Sequence, residues 1–355
     1  MKILHTSDIH IDSPMTSRLP AAKIRERRRE LLLGFDDLAR AAVTEGCQAM
    51  IIAGDLFDSE EVSKRALDTV LGVIERYPSL IFFYLKGNHE GDALAGHSVL
   101  PNNLLIFGED WTYFCADGLT VAGRSICSDD MFDTLELPSD TKNIVVLHGE
   151  LRDRSAFPDI IGRSDAAGKN IDYMALGHYH TYSAEPIGED GLAVYSGTPE
   201  GRGFDEVGDM GYVVIDTEGK LTHRFVSFAK RKMQIIKVDI TGLTRGQDIT
   251  ELVKTKLSDV NPSDIVRVEL VGKYVTGLWK DTEAIRERFE GGFYYLEVKD
   301  SSKIEIDPDS YKNDRSLKGE FIRLVTADES LSDEQKERIV ACGIYALMGD
   351  NIYDR

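Results

Sequence analysis

Short apolar runs rich in β-branched residues recur along the chain, at Lys2 to Ser7, Gln48 to Ala53, Leu80 to Lys86, Asn103 to Phe107, Asn143 to Leu147 and Asp172 to Leu176. Runs of this kind predict buried strands. Between the first two, Ile24, Leu31, Phe35, Leu38 and Ala42 recur at steps of three, four and seven, and Val62 to Arg76 shows a similar period. Both stretches are predicted to be crossover helices of βαβ units. After about Trp111 the pattern turns to hairpins. Trp111 to Phe114 and Leu119 to Ala122 flank Ala-Asp-Gly, and Tyr212 to Asp216 and Leu221 to Phe228 flank Thr-Glu-Gly. An α/β half followed by β-rich material predicts two packed sheets with helices outside.

A fresh strand begins near Lys230-Arg-Lys232. It is followed by a helical pattern (Thr250 to Leu257), a strand (Ile265 to Val271), a second helix (Asp281 to Phe289) and a strand (Phe293 to Val298). That alternation predicts a small, separate α+β module. Ser316 to Thr326 and Ser332 to Met348 have helical periodicity, with Ser332 as the expected N-cap of the last helix. The expected class is therefore α/β, a four-layer αββα sandwich over residues 1–228, a small α+β cap over 229–300 and a helical tail over 301–355.

A length of 355 residues agrees with more than one core. Hydrophobic residues at 42% and charged residues at 29% are ordinary for a globular protein and argue against long disordered tails. The start, Met-Lys-Ile-Leu-His, lacks the apolar stretch of a secretory signal, and no uninterrupted apolar run is long enough to span a bilayer. Cys47, Cys115, Cys127 and Cys342 are scattered without a C-x-x-C pair, which disfavours a disulfide framework or a zinc knuckle. The expected setting is a reducing cytoplasm, away from membranes.

The formal charge of −19 is uneven: residues 1–228 hold 37 acidic and 21 basic residues, and the remainder 24 and 21. Such a surface repels a phosphate backbone, so tight nucleic-acid binding by the chain alone is disfavoured unless cations or a partner intervene.

The chemistry lies where the strands end. Asp8-Ile-His10 follows the first run, Gly54-Asp55-Leu-Phe-Asp58 the second, Gly87-Asn88-His89-Glu90 the third, His148-Gly149 the fifth and Gly177-His178-Tyr179-His180 the sixth. Open α/β sheets gather ligands at the carboxyl ends of their strands, so these five ends can face one pocket. Asp-x-His and His-x-His are expected to present both side chains on one side of an extended segment. Carboxylate, imidazole and amide donors without thiolate suit hard or borderline divalent ions such as manganese, iron, zinc or magnesium. The glycines Gly54, Gly87 and Gly177 are expected to let the backbone turn close to the ions. Asp8-x-His10 or Gly54-Asp55 alone would read as ordinary polar positions; the joint, ordered occurrence is what carries the assignment.

This ordered set resembles the calcineurin-like metallophosphoesterase superfamily over roughly residues 1–228. The opening Met-Lys-Ile-Leu-His-Thr-Ser-Asp-Ile-His, the central Ala-Gly-Asp-Leu-Phe-Asp and the segment Tyr195-Ser-Gly-Thr-Pro-Glu-Gly-Arg-Gly-Phe-Asp-Glu206 are similar to SbcD-type repair nucleases, including the YhaO-like bacterial branch. The resemblance implies one cation held by Asp8, His10, Asp55 and His180 and another by Asp55, Asn88, His148 and His178, with Asp55 bridging. It implies two divalent ions, manganese first, and His89 as general acid or charge stabiliser for the departing oxygen. It further implies a DNA substrate, an SbcC-type ATPase partner and a homodimer as an alternative source of basic surface. Glu90 stands where those nucleases carry aspartate, and Asp58 agrees with the bacterial rather than the archaeal pattern.

Three other features remain to be read. Lys23, Arg25, Arg27, Arg28 and Arg29 read first as a solvated helix end, interleaved with Glu26 and Glu30, and second as a phosphate contact. Arg202 can touch substrate; Tyr179 reads as packing before base stacking. Two rival functions share the motif set: a small-molecule phosphodiesterase for nucleotides or cyclic nucleotides, and a scaffold that kept the fold and lost the reaction.

Overall fold

The computed structural model describes residues 1–348, apart from 16–18, 93, 95–98, 129, 155–158, 276–277 and 306–310. It divides into two compact units, Met1–Met233 and Gln234–Arg355, of which residues 349–355 of the predicted tail lie outside the described ones.

The first unit begins with β1 (Lys2–Thr6), α1 (Ala21–Thr44), β2 (Ala49–Ala53), α2 (Lys64–Arg76), β3 (Ile81–Leu85) and β4 (Leu104–Ile106). It continues with β5 (Thr112–Ala116), β6 (Leu119–Gly123), β7 (Lys142–His148), β8 (Glu150–Arg152), β9 (Ile160–Gly162), α3 (Arg163–Ala166) and β10 (Tyr173–Gly177). The unit closes with β11 (Ser183–Ile187), β12 (Gly191–Tyr195), β13 (Gly211–Asp216) and β14 (Thr222–Ser227). Two six-stranded sheets result, in the orders β14-β13-β1-β2-β3-β4 and β11-β12-β10-β7-β6-β5. The strands from β1 to β4 are mutually parallel, as are β6, β7, β10 and β12, and the hairpin partners β5, β11, β13 and β14 run antiparallel at the edges.

Ile3, Ile51, Ala53, Phe83 and Leu85 of the first sheet pack with Val121, Ile144, Val146, Tyr173 and Ala175 of the second, forming the buried layer between them. On the other face of the first sheet, Phe35, Leu38 and Ala42 of α1 and Val70, Val73 and Ile74 of α2 cover Leu4, Met50, Ile52 and Phe82. The spacing of three and four residues that marked α1 in the sequence is thus the stripe that seals this face. The outer face of the second sheet is covered by a thinner layer, with Met131, Phe132 and Leu135 over Val145, Leu147 and Met174. The architecture is an α/β sandwich.

The second unit contains β15 (Met233–Asp239, which starts at the junction), α4 (Gly246–Leu257), β16 (Ile265–Val271), β17 (Lys273–Tyr274), α5 (Thr282–Arg288), β18 (Tyr295–Asp300), β19 (Lys303–Ile304), α6 (Leu317–Ala327) and α7 (Asp333–Met348). Ile322 of α6 and Val340 and Ile344 of α7 share one core with Val238, Val253, Val268 and Leu296. The helices expected as a separate tail are therefore part of this unit. Ser332 caps α7: its side chain accepts the Gln335 N–H at 3.2 Å and Gln335 returns a bond to the Ser332 N–H at 2.8 Å.

Among the described residues no helix is long and apolar enough to cross a membrane. All four cysteines are free, and Cys47 and Cys127 are buried.

Candidate metal centre

The parallel registers bring five strand ends to one edge of the sandwich. Thr6 pairs with Ile52 and Ala53 with Leu85 in the first sheet, and His148 pairs with Gly177 in the second. The sheets are also stitched together at this edge. The carboxylate of Asp8 accepts the backbone N–H of His178 at 3.0 and 3.1 Å, and the His148 ring donates from Nδ1 to the carbonyl of Ala53 at 3.0 Å.

Asp8, His10 and Asp55 do not continue their strands. Their φ angles are +52°, +49° and +50°, and His178 stands at +108°. Strand alternation therefore does not bring Asp8 and His10 together, contrary to the expectation for Asp-x-His; a left-handed backbone does. Parallel pairing of the two loops holds that shape, with the N–H of Asp8, His10 and Ile11 donating to Gly54, Asp55 and Leu56 at 3.1, 3.0 and 2.8 Å. Asp and His are among the non-glycine residues that tolerate this region.

At two of the glycines the neighbouring sheet leaves no room for a side chain. A Cβ on Gly54, whose φ is +88°, would lie 2.1 Å from His148 Nδ1, and one on Gly177 would lie 1.9 Å from the carbonyl oxygen of Ala53. Both let the two sheets close upon the ligand side chains themselves.

Two donor clusters follow, Asp8 with His10 and His180, and Asp8 with Asp55 and His148; within each, the donor atoms lie within 4.8 Å of one another. In the first, Asp58 Oδ1 lies 2.9 Å from His10 Nδ1 and Glu206 Oε1 lies 2.7 Å from His180 Nδ1. Burial opposes ionisation of Glu206, but the bond from His180 and the charge of Arg202 outweigh it and hold its pKa down at about 2. Asp58 is likewise lowered, against its burial, by His10 and Arg202. Ionised carboxylates only accept, so the neutral His180 ring keeps its proton on Nδ1 toward Glu206, and a neutral His10 ring with its proton beside Asp58 likewise leaves Nε2 bare. Those two Nε2 atoms face each other at 3.3 Å. Asp8 Oδ1 is 3.7 Å from the one on His180, and Asp55 Oδ2 is 3.9 Å from the one on His10. With both rings neutral, four electron-pair donors converge with no donor hydrogen between them, an arrangement that a cation satisfies. Against its burial, the bond to Glu206 and the charge of Asp8 raise the His180 pKa and mark the same demand for positive charge.

The second cluster differs in one respect. A carbonyl can only accept, so Ala53 takes the Nδ1 proton of His148, while Nε2 faces two further acceptors, Asp55 Oδ2 at 3.4 Å and Asn88 Oδ1 at 2.9 Å, and holds a second proton where a cation would otherwise sit. Burial should lower the His148 pKa, yet its hydrogen bond to Asp55 and the charges of Asp8 and Asp55 push it up to about 9. Asp55, against its own burial, is drawn down to about 2 by His148 and His10. Both shifts report a field that attracts positive charge. The residues present fit divalent cations of hard or borderline type.

His178 reaches the site with its ring 5.5 Å from that of His148 and belongs to neither donor cluster. The exposed side chain of His89 sits across from His10, ring centroids 5.6 Å apart, while its backbone N–H donates to Asp55 Oδ1 at 3.1 Å. Glu90 braces the turn: its buried carboxylate accepts the N–H groups of Leu56, Phe57 and Gly87 at 3.2, 3.0 and 3.0 Å.

Arg202 faces inward, with Nη1 2.8 Å from Asp58 and Nη2 2.8 Å from Glu206, so it joins the two carboxylates that orient His10 and His180. Its loop is anchored by Arg27. That fully buried guanidinium donates to Glu30 at 2.6 Å, to Glu200 at 3.0 Å and to the carbonyl of Gly201 at 2.9 Å. The basic run therefore splits: Arg27 is structural, whereas Arg25, Arg28 and Arg29 are exposed. Tyr179 packs on Tyr195 with centroids 4.8 Å apart and donates to Glu150 at 2.6 Å.

Glu206 and the ring-orienting role of Asp58 were not identified from the sequence. The Gly54-Asp55-x-x-Asp58 spacing signals Asp58 weakly; no local pattern links Glu206 to His180.

The calcineurin-like phosphoesterase family model matches residues 1–190. Over 279 residues the chain is 23% identical to the uncharacterized metallophosphoesterase YhaO of Bacillus subtilis (strain 168), covering 73% of this chain and 68% of that one. It is 24% identical over 359 residues to the DNA double-strand break repair protein Mre11 of Methanosarcina mazei, covering 93% of this chain and 56% of the relative. With the protein of the same name from Saccharolobus solfataricus it shares 21% over 369 residues, covering 96% and 93%. The chain thus spans 56% to 93% of the length of these three relatives.

Proposed function

The chain belongs to the calcineurin-like phosphoesterase family, and from that premise we propose that it is a phosphodiester hydrolase of the SbcD nuclease kind, cleaving DNA with two divalent cations, manganese first among them. Metal-dependent phosphoester hydrolysis is the family's chemistry. The observation that carries the metal-dependent reading is the approach of His10 Nε2 and His180 Nε2 to 3.3 Å, with Asp8 Oδ1 3.7 Å from the latter. The DNA reading draws support from the names of the archaeal relatives and from the Gly54-to-Asp58 and Tyr195-to-Glu206 segments.

Asp8, His10, Asp55 and His180 would hold one cation, and Asp55, Asn88, His148 and His178 the other. When bound, the pair supplies Lewis acidity toward the phosphoryl group and a nucleophile at neutral pH. The protein's own groups do the rest. Asp58, Glu206 and the Ala53 carbonyl face the Nδ1 atoms of His10, His180 and His148, so that each Nε2 is the nitrogen left to exchange a proton for a cation. His89, on the open side of the cluster, delivers a proton to the departing oxygen. The excess of acidic residues over 1–228 favours a partner, an SbcC-type ATPase or a second copy of the chain, as the source of additional basic surface.

The test is digestion of end-labelled single- and double-stranded DNA by the purified chain. Manganese-dependent release of label, abolished by chelation, is expected. Intact DNA under conditions where bis-p-nitrophenyl phosphate is hydrolysed would leave a small-molecule phosphodiesterase instead.

A further inference from the structure

Beside the metal loop lies a cavity of about 490 Å³ whose lining includes Arg25, Arg28 and Arg29 of α1, Arg65 of α2, Asp12 and Ser63. Arginine stays charged at any working pH, so its repulsion from neighbouring arginines cannot be relieved by losing a proton. Asp12 is the single acid among the described lining residues; it accepts Arg28 at 3.3 Å and the Ser63 N–H at 3.2 Å. Arg25, Arg29 and Arg65 have no carboxylate partner among the described residues, although residues 1–228 carry 37 acids. Three uncompensated guanidinium groups around one opening, in an otherwise acidic unit, form a site for an anion. Ser63 caps the first turn of α2, which adds the positive end of a thirteen-residue helix to the same wall.

The place of the cavity in the chain limits what the anion can be. Asp12 is two residues from His10, so their Cα atoms are at most about 7.6 Å apart. A small phosphodiester has a single phosphorus, and the metal cluster takes it. A second anion site next to that cluster serves a substrate with phosphates in series. We propose that Arg25, Arg28, Arg29 and Arg65 hold a backbone phosphate of a nucleic-acid strand whose neighbouring phosphodiester lies at the metal cluster. This deepens the functional reading above and rests on it. The rigid fork of arginine suits phosphate oxygens without reading base identity, so the site positions the strand and is indifferent to sequence.

Binding of a fluorescein-labelled oligothymidylate, followed by anisotropy in EDTA, reads this site without hydrolysis. The triple variant Arg25→Ala, Arg29→Ala and Arg65→Ala is expected to bind roughly tenfold more weakly at moderate salt, with the slope of log K against log salt reduced by about two. All three side chains are exposed, so folding is not at stake. A control removing Arg245, Arg286 and Arg288 from the second unit loses the same charge and is expected to bind as the parent does. Inorganic phosphate, added as competitor, is expected to displace the strand only at high concentration.

Equal weakening in both triples, no change in the first, or no measurable strand binding by the parent would overturn the proposal. So would tight capture of inorganic phosphate without the strand. Hydrolysis of bis-p-nitrophenyl phosphate with manganese is measured alongside. If the parent hydrolyses it and the first triple does so equally, the metal-centre reading stands whatever the binding assay returns. If the parent does not, that reading fails, and the anisotropy result still decides the arginine site.

Discussion

Asp58 and Arg202, 144 positions apart in the chain, form a 2.8 Å ion pair, and the same guanidinium holds Glu206 at 2.8 Å. Through Asp58 and Glu206 one arginine sets the orientation of His10 and His180 together. Glu206→Ala removes the acceptor that keeps the His180 proton on Nδ1. Groups in that position typically cost about 10- to 100-fold in metal affinity when removed. Manganese titration by calorimetry checks it, and unchanged affinity would refute the orienting role.

His89→Ala is expected to leave manganese affinity close to that of the parent while turnover falls by about 10²- to 10⁴-fold, the usual worth of a positioned proton donor. The split between binding and rate is the diagnostic. Full activity, or loss of metal, would remove His89 from the assigned role.

The metal-free protein should lose stability as pH rises above neutrality. Burial, joined by the charge of Asp55 and opposed by three backbone N–H donors, pushes Glu90 up to about 7 from its ordinary 4.5. The unfolded chain then ionises first, and the stabilisation present at pH 4.5 disappears as pH approaches 7. His148, raised to about 9 by Asp55 and Asp8 in spite of burial, stabilises below 6.5 and loses that contribution as pH rises to 9. Asp55, lowered to about 2, acts oppositely and matters only below its ordinary 3.8. Buried His5, held down at about 3, acts in the opposite sense below 6.5 and offsets Glu90 there, so guanidinium midpoints measured in EDTA should fall between pH 7 and 9; a flat or rising profile in that window would contradict the signs.

Gly177→Ala introduces a Cβ 1.9 Å from the Ala53 carbonyl and 2.8 Å from His148 Nδ1. The two sheets must then part at their shared edge. Overpacking of this kind costs about 1–3 kcal/mol, and the displaced His148 should also weaken manganese binding. Thermal unfolding and the same calorimetric titration read both effects. A variant as stable and as tight as the parent would mean that the sheets give way freely at this point.

The sandwich was legible because its strands are apolar runs between helices whose Ile24-to-Ala42 stripe repeats at helical spacing. The candidate ligands were legible because each follows such a run. Less visible were contacts that depend on distant segments. Arg27 looks like one member of a basic helix end, and only Glu200, 173 positions later, draws it into the interior. Glu206 meets His180 across an intervening hairpin and carries no local signature. The Asp8-Ile-His10 segment was placed correctly at a strand end but for the wrong reason, since periodicity says nothing about a backbone that turns left-handed under the hydrogen bonds of a neighbouring loop.

That left-handed winding at Asp8, His10 and Asp55 bears on how ions come and go. Each loop is already coiled into its gripping shape by bonds to the adjacent one, so capture needs little further ordering of the chain, and release need not melt it. Loading should then resemble filling a rigid chelator, quick and reversible, rather than folding around a nucleus. It also narrows what can stand at these positions: Asp8→Asn keeps a side chain at ease with the twist, whereas a β-branched replacement would strain the loop even before any cation arrived.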